Sequence, residues 1–401
     1  MTSSTFPKWE KDSELRIVLD IAQNIKKYYP SVNIFVLSPH HKNSKKKEII
    51  NNIKIYRYQY FFEHLEKLHH GDGMLANIKK NKLLLFLLPL SIISQILAIK
   101  KIVKKHNINI IHAHWLIPQG FIAVLYKKIF NKNIKIICTL HGSDIFSLQN
   151  IILKNLKKYI LKNCNLISAV SSTIKKEILK YKISSQKIKI IHNGIDLNFT
   201  HITKNKNDLK RQYNISSFCL LFVGRLNEQK GIKYLINALP KVIKKLPKIK
   251  LLIIGEGPDK NKIKKQVQKL NLNQNIIFTG KIENQLLPSY YNMADIFIGP
   301  SIITKNNSTE GFGMVLLEAL INETPVITTN SGGMTDIIEN NISGIIVTPK
   351  NSGAITNAVL DLLNNHNKRK ILSDNGKKLV LDKFNWKKIS FEYFSAYQQI
   401  L

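Results

Sequence analysis

The segment Leu220–Gly231, LLFVGRLNEQKG, sets the pattern on which the fold is built. A short apolar run ends at Gly224, a polar turn follows, and helical periodicity extends from about Ile232 to Lys245. The same order returns at Lys250–Ile254, where an apolar run again leads into a glycine turn and a helix. Strands that alternate with helices predict a parallel sheet covered by helices on both faces.

Apolar runs of this kind occur in two series along the chain. The first series is Val32–Leu37, Ile53–Tyr58, Ile108–Ala113, Ile134–Leu140, Leu166–Val170 and Ile188–Ile191. The second series is Leu220–Val223, Lys250–Ile254, Asn275–Thr279, Ile296–Ile298, Pro325–Thr328 and Gly344–Val347. Two series in tandem predict an α/β protein of two doubly wound, Rossmann-like domains that face each other across an inter-domain cleft.

The domain boundaries follow from the composition between the two series. We expect an N-terminal domain at 1–198, a Lys- and Asn-rich linker at 199–216 and a C-terminal domain at 217–385. A C-terminal helix at 386–401 is expected to cross back to the first domain, with hinges near Ile195–Thr200 and in Trp386–Gln399. Only six residues precede Pro7, so we expect the first strand to be truncated.

Composition excludes several classes of protein. The 401 residues are too many for one ordinary core, and a hydrophobic content of 44% excludes a disordered or fibrous chain. The chain carries 61 Lys+Arg against 26 Asp+Glu, but the lysines are spread over both halves, which favours compositional drift over a dedicated polyanion site. Binding to anionic surfaces at low salt is still expected, without specific recognition of nucleic acid.

Cysteine usage and the N-terminus point to the cytoplasm. Cys138, Cys164 and Cys219 are scattered and form neither a metal pattern nor a disulfide framework, so we expect reduced thiols. The opening MTSSTFPKWEKDSE lacks the apolar region of a signal peptide. We therefore predict a cytoplasmic protein, with peripheral attachment to the inner face of the membrane as an additional hypothesis.

The segment Leu83–Ile99, LLLFLLPLSIISQILAI, has lysines on both sides. A spanning helix needs about 20 apolar residues, so this segment lies at the lower limit. It is compatible with a core helix, with a helix lying in the membrane interface and with a true span.

The most informative motif is Glu310–Glu318, EGFGMVLLE. Gly311 and Gly313 allow the backbone to pass close to a ligand, and the free N–H groups of the helix that follows form an anion site. Glu318, expected about two turns into this helix, suits hydrogen bonds from a sugar diol. The alternative is a buried helix entered through a glycine turn, with Glu318 only solvated.

Two cations follow the strand of the opening segment. Arg225 leaves the end of the strand and Lys230 precedes the next helix, beside Gly231. A guanidinium and an ammonium at the end of a parallel strand suit a diphosphate. Solvated charges are the alternative, which is weaker for Arg225 because the chain has only five arginines.

An ordered set of segments resembles the retaining GT-B glycosyltransferases of the group-1 (family 4) class, which use nucleotide sugars. The segments are His112–Trp115, His141–Asp144, His192–Asp196, Gly224–Gly231, Gly255–Pro258, Glu310–Glu318 and Ser331–Gly333. The opening Phe6–Trp9 is similar to one subgroup of the family. One departure is the loop Lys8–Glu14, which has no glycine where many members carry glycines next to the diphosphate.

The resemblance implies that the N-terminal domain lies on the acceptor side and that the C-terminal domain binds the nucleotide sugar. It also implies a role for each site residue. The catalytic set is His141, Arg225, Lys230 and Glu310, and the donor-binding set is Gly224, Gly257, Ile282, Gly311, Phe312, Gly313, Met314, Val315 and Glu318. Arg225 and Lys230 would hold the diphosphate, while Glu310 holds the donor sugar together with the amides of Phe312 and Gly313. Glu318 would bind the ribose hydroxyls, Ile282 the base, and His141 the sugar near its reacting carbon.

The resemblance also implies the chemistry and the partners. The leaving phosphate takes the acceptor's proton in a front-side displacement, so the anomeric configuration is retained. The expected partners are a nucleotide-sugar donor, a glycan or lipid-linked acceptor, and an anionic membrane surface. No two aspartates are spaced as Asp-x-Asp, so we expect no metal and no other cofactor, although a metal site at His112 and His114 stays open.

Three alternatives to transfer remain at this point. A glycoside hydrolase would use Glu310 and Glu318 as an opposed pair, which their placement in a turn and a helix does not favour. A sugar-nucleotide epimerase of the same architecture is a nearer alternative. A nonspecific polyanion-binding protein would follow from the charge alone.

Overall fold

The computed structural model describes residues 1–9, 12, 16–69, 74–147 and 149–401. Part of the expected first loop Lys8–Glu14 lies outside these residues. The chain forms two compact units, Met1–His192 together with Trp386–Leu401, and Asn193–Asn385. The chain therefore passes into the second unit and returns, and residues 199–216 belong to the second unit. Both units have the α/β, parallel-sheet architecture predicted from the sequence.

The first unit is built on a largely parallel sheet. Its strands are β1 (Phe35–Pro39), β2 (Lys47–Ile50), β3 (Ile53–Tyr58), β4 (Ile110–His114), β5 (Lys135–Leu140), β6 (Leu166–Ala169) and β7 (Ile188–Ile190). They pair in the orders β1-β3-β2 and β4-β5-β6-β7, and β2 is antiparallel to β3. Thr2 forms parallel bridges to Leu37 in β1 and to Ala113 in β4, which joins the two groups of strands.

Helices cover this sheet and return the chain from strand to strand. They are α1 (Ile17–Tyr28), α2 (Met74–Lys80), α3 (Leu87–His106), α4 (Phe121–Ile129), α5 (Ser143–Phe146), α6 (Ile151–Asn163) and α7 (Ser172–Leu179). α3 packs against α4, and α4 packs against α6. Because α3, α4 and α6 each lead into the next parallel strand, the N-terminal ends of these three helices lie near the carboxyl edge of the sheet.

The second unit is a single parallel sheet with helices around it. Its strands are β8 (Cys219–Val223), β9 (Lys250–Ile254), β10 (Ile276–Gly280), β11 (Ile296–Gly299), β12 (Val326–Thr329) and β13 (Ile345–Val347). The order β10-β9-β8-β11-β12-β13 reverses direction between β8 and β11. This switch point opens a crevice at the carboxyl ends of those two strands, where ligands bind in open parallel sheets.

The helices of the second unit follow the same strand-to-helix alternation. They are α8 (Lys206–Gln212), α9 (Ile232–Lys245), α10 (Lys260–Lys269), α11 (Leu287–Met293), α12 (Met314–Ile321), α13 (Ser352–Asn364) and α14 (His366–Lys383). Every residue of the central strand β8 is buried, whereas the edge strand β10 is partly exposed. A continuous apolar run is what a strand needs when helices cover both of its faces.

The last helix, α15 (Trp386–Ile400), belongs to the first unit and packs against α1. Tyr393 and Ala396 are fully buried in one apolar cluster with Ile137 of β5 and Leu166 of β6. The final helix of the chain is therefore part of the core of the first unit.

The segment that contains Leu83–Ile99 is helical. Among the described residues, one helical stretch, Lys82–His106, is long and apolar enough to cross a membrane by length and composition. Within this stretch, 22% of the most apolar window is buried inside the unit.

Candidate active site

The loops at the carboxyl edge of the second sheet pack closely on one another. The N–H of Leu226, after β8, donates to the carbonyl of Glu256, after β9, at 2.9 Å. At Gly257 a Cβ atom would lie 2.3 Å from the Leu226 carbonyl oxygen, so only glycine fits there. The two glycine-bearing turns of the sequence therefore form one surface beside the crevice.

Lys230 and Glu310 meet at the switch point. Lys230 follows β8, Glu310 follows β11, and the Lys230 Nζ lies 2.5 Å from the Glu310 Oε2. The two side chains are only 17% and 16% exposed, so solvent screens this ion pair less than it screens a surface pair. The structure thus brings together two residues that are eighty positions apart and were both predicted from the sequence.

The loop after β12 fixes the backbone of Glu310. The Gly333 N–H donates to the Glu310 carbonyl at 3.0 Å. Gly332 has φ +64°, and a Cβ atom at this position would lie 2.1 Å from the same oxygen. The predicted segment Ser331–Gly333 therefore holds Glu310 in place by a contact that requires glycine.

The helix α12 begins directly after Gly313, and none of the side chains that the structure describes caps its N-terminus. The Leu316 N–H donates to the Gly313 carbonyl at 2.9 Å, which leaves the N–H groups of Met314 and Val315 for an anion. The helix dipole favours negative charge there. Phe312 is 3% exposed, and its ring contacts Phe384 with centroids 5.8 Å apart. Its side chain therefore anchors this turn, so the part of Phe312 that can serve a donor is its backbone.

Glu318 is the fifth residue of α12, a little more than one turn into the helix and closer to its start than expected. Its Oε2 accepts a hydrogen bond from the Tyr291 hydroxyl at 2.8 Å. The pKa of Glu318 is raised above its ordinary value because burial outweighs two opposing effects. The Tyr291 hydrogen bond and the positive charge of Lys230 both lower this pKa. The influence of Lys230 on this pKa places Glu318 in the same electrostatic environment as the Lys230–Glu310 pair.

The remaining residues predicted in this unit lie along the same edge. Arg225 follows β8 in the loop that also carries Lys230, and its side chain is exposed. Ile282 is half-buried in the loop after β10. Gly311 is buried between Glu310 and α12, and Met314 and Val315 form the first turn of that helix.

His141 belongs to the first unit, where it follows β5 and lies in a group of rings. Its Nε2 is 3.1 Å from the His114 Nδ1, and its ring centroid is 4.6 Å from that of Trp115. Burial lowers the pKa of His141 to about 4, so the imidazole is neutral at pH 7. The backbone of Trp115 has a positive φ of +72°.

Asp144 holds the His141 loop by backbone hydrogen bonds. Its carboxylate accepts from the N–H groups of His141 at 3.2 Å, Gly142 at 2.9 Å and Leu116 at 3.0 Å. Burial raises the pKa of Asp144, and these N–H donors lower it. Lys157, fully buried on α6, donates to the Ile145 carbonyl at 2.9 Å and to the Ser147 carbonyl, which fixes the far end of the same loop.

The histidine pair His112 and His114 is engaged with other side chains. His112 makes hydrogen bonds to the Tyr397 hydroxyl at 2.8 Å and to the Thr139 hydroxyl at 2.7 Å. Among the described residues, no group of three or more His, Cys, Asp or Glu side chains is arranged to hold a metal ion. The three cysteines are buried free thiols.

Sequence reasoning missed several residues that shape these sites. Tyr291 and Lys157 carry no motif, since a tyrosine on a short helix and a lysine among many give no signal. Asp144 lies in the segment His141–Asp144, but its own role was not predicted. A carboxylate three residues after His141 is well placed to accept hydrogen bonds from the N–H groups of a turn. Trp115 was likewise given no role.

A cavity of about 370 Å³ in the first unit is lined by His112 and Tyr397 but not by His141. Phe35 and Ile110, the first residues of β1 and β4, line it together with Met1. It is therefore at the amino edge of the sheet, opposite the edge that carries His141.

Family comparisons agree with this architecture. The model described as "Glycosyl transferases group 1" matches residues 205–379, and the model described as "Glycosyltransferase Family 4" matches residues 32–199. The uncharacterized glycosyltransferase MJ1178 of Methanocaldococcus jannaschii is 32% identical over 302 residues, which is 75% of this chain and 78% of that protein. The chain belongs to the group-1 glycosyltransferases, and it is a transferase enzyme.

Two further relatives carry more specific names. N-acetyl-alpha-D-glucosaminyl L-malate synthase of Bacillus anthracis is 25% identical over 75% of this chain and 77% of its own length. The capsular polysaccharide biosynthesis glycosyltransferase CapM of Staphylococcus aureus is 31% identical over 59% of this chain and 62% of its own length.

Solved structures share the fold. Sucrose-phosphate synthase of Thermosynechococcus elongatus superposes with a TM-score of 0.79 at 21% identity, covering 100% of this chain and 98% of that one. HepE of Anabaena, in complex with UDP-glucose, superposes with a TM-score of 0.74 at 17% identity over 100% and 98% of the two chains. These likenesses confirm the GT-B fold that the sequence predicted.

Proposed function

We propose that the enzyme moves a hexosyl group from a nucleotide sugar to a lipid-linked or cell-envelope glycan acceptor with retention of the anomeric configuration. The observation that carries the proposal is the Lys230–Glu310 pair at the switch point of the second sheet. A cation and a carboxylate placed there, near the uncapped start of α12, suit the diphosphate and the hydroxyl groups of such a donor.

In the proposed reaction, the bond between the sugar C1 and the distal phosphate oxygen breaks while the acceptor hydroxyl oxygen bonds to C1 from the same face. The leaving phosphate oxygen takes the hydroxyl proton, so no carboxylate of the chain attacks the sugar. Negative charge grows on the leaving diphosphate. Arg225, Lys230 and the N–H groups at the start of α12 stabilise that charge, which is the work that a metal ion does elsewhere.

The other residues orient the donor. Glu310 accepts hydrogen bonds from the sugar hydroxyls, and Glu318, oriented by Tyr291, accepts those of the ribose. The backbone beside Ile282 contacts the base. His141, a neutral imidazole at pH 7, exchanges hydrogen bonds with the sugar near C1 rather than acting as a cation.

We infer the donor class and the acceptor class from the relatives of the chain. HepE is solved with UDP-glucose, which makes UDP-glucose the first donor to test. The name of CapM places that relative in capsular polysaccharide synthesis, which favours an envelope acceptor. The name of N-acetyl-alpha-D-glucosaminyl L-malate synthase refers instead to a small acceptor. We assign the enzyme to the cytoplasm, at the inner face of the membrane where lipid-linked acceptors are presented.

A thermal-shift panel of UDP, GDP, ADP and their sugars identifies the donor, since a bound nucleotide raises the melting temperature by mass action. Turnover of that donor is then compared among the wild type, Arg225→Ala, Glu310→Ala and the exposed surface variant Lys241→Ala, with and without a chelator. We expect the first two substitutions to lower turnover and Lys241→Ala and the chelator to leave it unchanged. Equal turnover in all variants would refute the assigned roles.

A further inference from the structure

The outward face of α3 exposes an apolar stripe. Phe86, which immediately precedes α3, is 78% exposed, and Leu90, Ile93 and Leu97 within the helix are 40%, 55% and 55% exposed. Their spacing of three or four residues places them along one side of the helix. The stripe is about 17 Å long at 1.5 Å per residue. Contiguous large apolar side chains in water mark a surface that another body covers.

The same side of the helix becomes cationic beyond Leu97. Lys100, Lys101 and Lys104 are all exposed and continue the stripe toward the C-terminal end of α3. The Lys100 ammonium lies 4.5 Å from the ring centroid of Phe130, which extends the surface onto the end of α4. The face is therefore apolar in one half and positively charged in the other.

The inward side of α3 is bonded into the first unit. Ser91 makes a 2.9 Å hydrogen bond to His69, and Gln95 donates to Gln119 beside α4. Ile96, Ile99 and Val103 are buried against the unit. Placing this helix across a bilayer would break these contacts, so the helix remains part of the folded unit and presents only its outer side.

A second pair of exposed apolar side chains lies at the start of α6, near the carboxyl edge of the same sheet. Ile151 and Ile152 open α6 and are 71% and 76% exposed, with the exposed Lys154 just beyond them. α3 and α6 flank α4, and both begin at the carboxyl edge of the sheet, where His141 also lies. We call the set Phe86, Leu90, Ile93, Leu97, Ile151 and Ile152 the apolar ridge.

We propose that the apolar ridge docks the first unit on an anionic lipid bilayer, with its side chains among the acyl chains and Lys100, Lys101 and Lys104 against lipid phosphates. Charge decides between a bilayer and a second copy of the chain. The lysines beside the ridge attract anionic headgroups, whereas they repel the same lysines of another molecule, whose net charge is +35.

Docking in this orientation sets the edge that carries His141 toward the bilayer. A lipid-linked acceptor would then reach the site without leaving the membrane, a consequence that rests on the proposed function. The docking itself rests only on the exposed side chains of the first unit.

The test is co-sedimentation with vesicles of phosphatidylcholine alone and with about 30% phosphatidylglycerol. Three variants are compared with the wild type, Ile93→Asp, Lys100→Glu with Lys104→Glu, and the matched control Ile371→Asp, which alters an apolar residue 58% exposed on α14. We expect the wild type and Ile371→Asp to sediment with anionic vesicles, and the ridge and lysine variants to bind at least about tenfold more weakly.

Melting temperatures establish that each variant is folded, and the nucleotide-induced shift is measured in parallel. Equal sedimentation of wild type and Ile93→Asp overturns the docking proposal. The docking proposal is also overturned if the wild type does not bind vesicles but self-associates in velocity sedimentation, and Ile93→Asp abolishes that self-association. If the wild type does not bind vesicles but a nucleotide still raises its melting temperature, the docking proposal fails and the proposed function stands. If it binds vesicles but no nucleotide raises its melting temperature, the docking proposal stands and the proposed function fails.

Discussion

The Lys230 Nζ lies 2.5 Å from the Glu310 Oε2, at the end of the crevice between β8 and β11. In this arrangement the carboxylate neutralises the cation that the proposed reaction assigns to the diphosphate. A donor that enters must therefore share Lys230 with Glu310, and the sugar hydroxyls must compensate the carboxylate. With the proposed roles, the pair couples binding of the diphosphate to binding of the sugar that is attached to it.

Substitution of Glu310 should separate nucleotide binding from transfer. In Glu310→Gln the Lys230 ammonium loses its anionic partner, so we expect a nucleoside diphosphate to bind as well as or up to about tenfold more tightly. Transfer should fall by about 100-fold or more because the donor sugar loses a charged acceptor. Titration calorimetry with the diphosphate and initial rates with the full donor check the two parts. Weaker diphosphate binding in Glu310→Gln would contradict the proposed sharing.

The converse substitution should act on the diphosphate. Lys230→Met removes a charge-assisted contact, which corresponds to a loss of about 10- to 100-fold in diphosphate affinity. Lys241→Met is the matched control on the exposed surface of α9 and should bind like the wild type. If both lysine variants bind the diphosphate equally, Lys230 does not hold it.

Glu318 should discriminate ribose from deoxyribose. If its carboxylate accepts from the ribose hydroxyls, the wild type binds a ribonucleoside diphosphate more tightly than the 2′-deoxy analogue, and Glu318→Ala removes most of that preference. Tyr291→Phe should reduce the preference less, by about three- to tenfold, because it only frees the carboxylate to rotate. The preference is measured as a ratio of two dissociation constants, so a general loss of folding does not imitate the effect. A ratio that stays constant across the variants would exclude the ribose role.

Asp144 should matter for stability as well as for the position of His141. Asp144→Asn leaves buried N–H groups of the His141 loop with a weaker, neutral partner, and we expect a loss of about 2–3 kcal/mol in the free energy of unfolding. Asp208→Asn, at an exposed carboxylate paired with Arg211, is the control and should change stability by less than about 0.5 kcal/mol. Urea denaturation compares the two. A loss equal to that of the control would show that the hydrogen bonds of Asp144 contribute nothing measurable.

The buried histidines should make the protein less stable in acid. Burial lowers the pKa of His141 to about 4, and the pKa values of His112 and His114 also lie well below the ordinary value. Between about pH 4 and 6.5 the unfolded chain therefore binds more protons than the folded one, so stability is full above this window and falls as the pH is lowered through it. At pH 5 we expect a loss of about 1–2 kcal/mol from His141 alone.

Urea denaturation at pH 7.5 and pH 5 measures this slope for the wild type, His141→Asn and the control His366→Asn, which replaces an exposed histidine on α14. His141→Asn should flatten the pH dependence, and the control should not. A slope that is identical in all three proteins would mean that His141 does not take part in it.

Much of the fold follows from local sequence. The runs Ile53–Tyr58 and Lys250–Ile254 and the helix Ile232–Lys245 have the bounds expected from apolar periodicity and flanking turns. The strand Lys47–Ile50 was missed because it is a short antiparallel edge strand that alternates little and carries charge. The helix Lys206–Gln212 was missed because its polar sequence resembles a linker.

The candidate site, like the fold, could be predicted only in part from the sequence. Arg225, Lys230 and Glu310 were predictable because glycine turns after strands mark the carboxyl edge of a parallel sheet. Their pairing was not, since the contact between Lys230 and Glu310 depends on which strands flank the switch point, and local patterns carry no strand order. The Tyr291 hydroxyl on Glu318 is likewise a tertiary contact between two helices with no motif in common.

The place of α15 in the first unit has a consequence for the order of folding during synthesis. Tyr393 and Ala396, which complete the core around Ile137 and Leu166, are translated after the whole of the second unit. The second unit is contiguous in sequence, from Asn193 to Asn385, so all of it is synthesised before the final helix of its neighbour. The half of the protein that is made first must therefore wait until the second unit has been synthesised before its core can close.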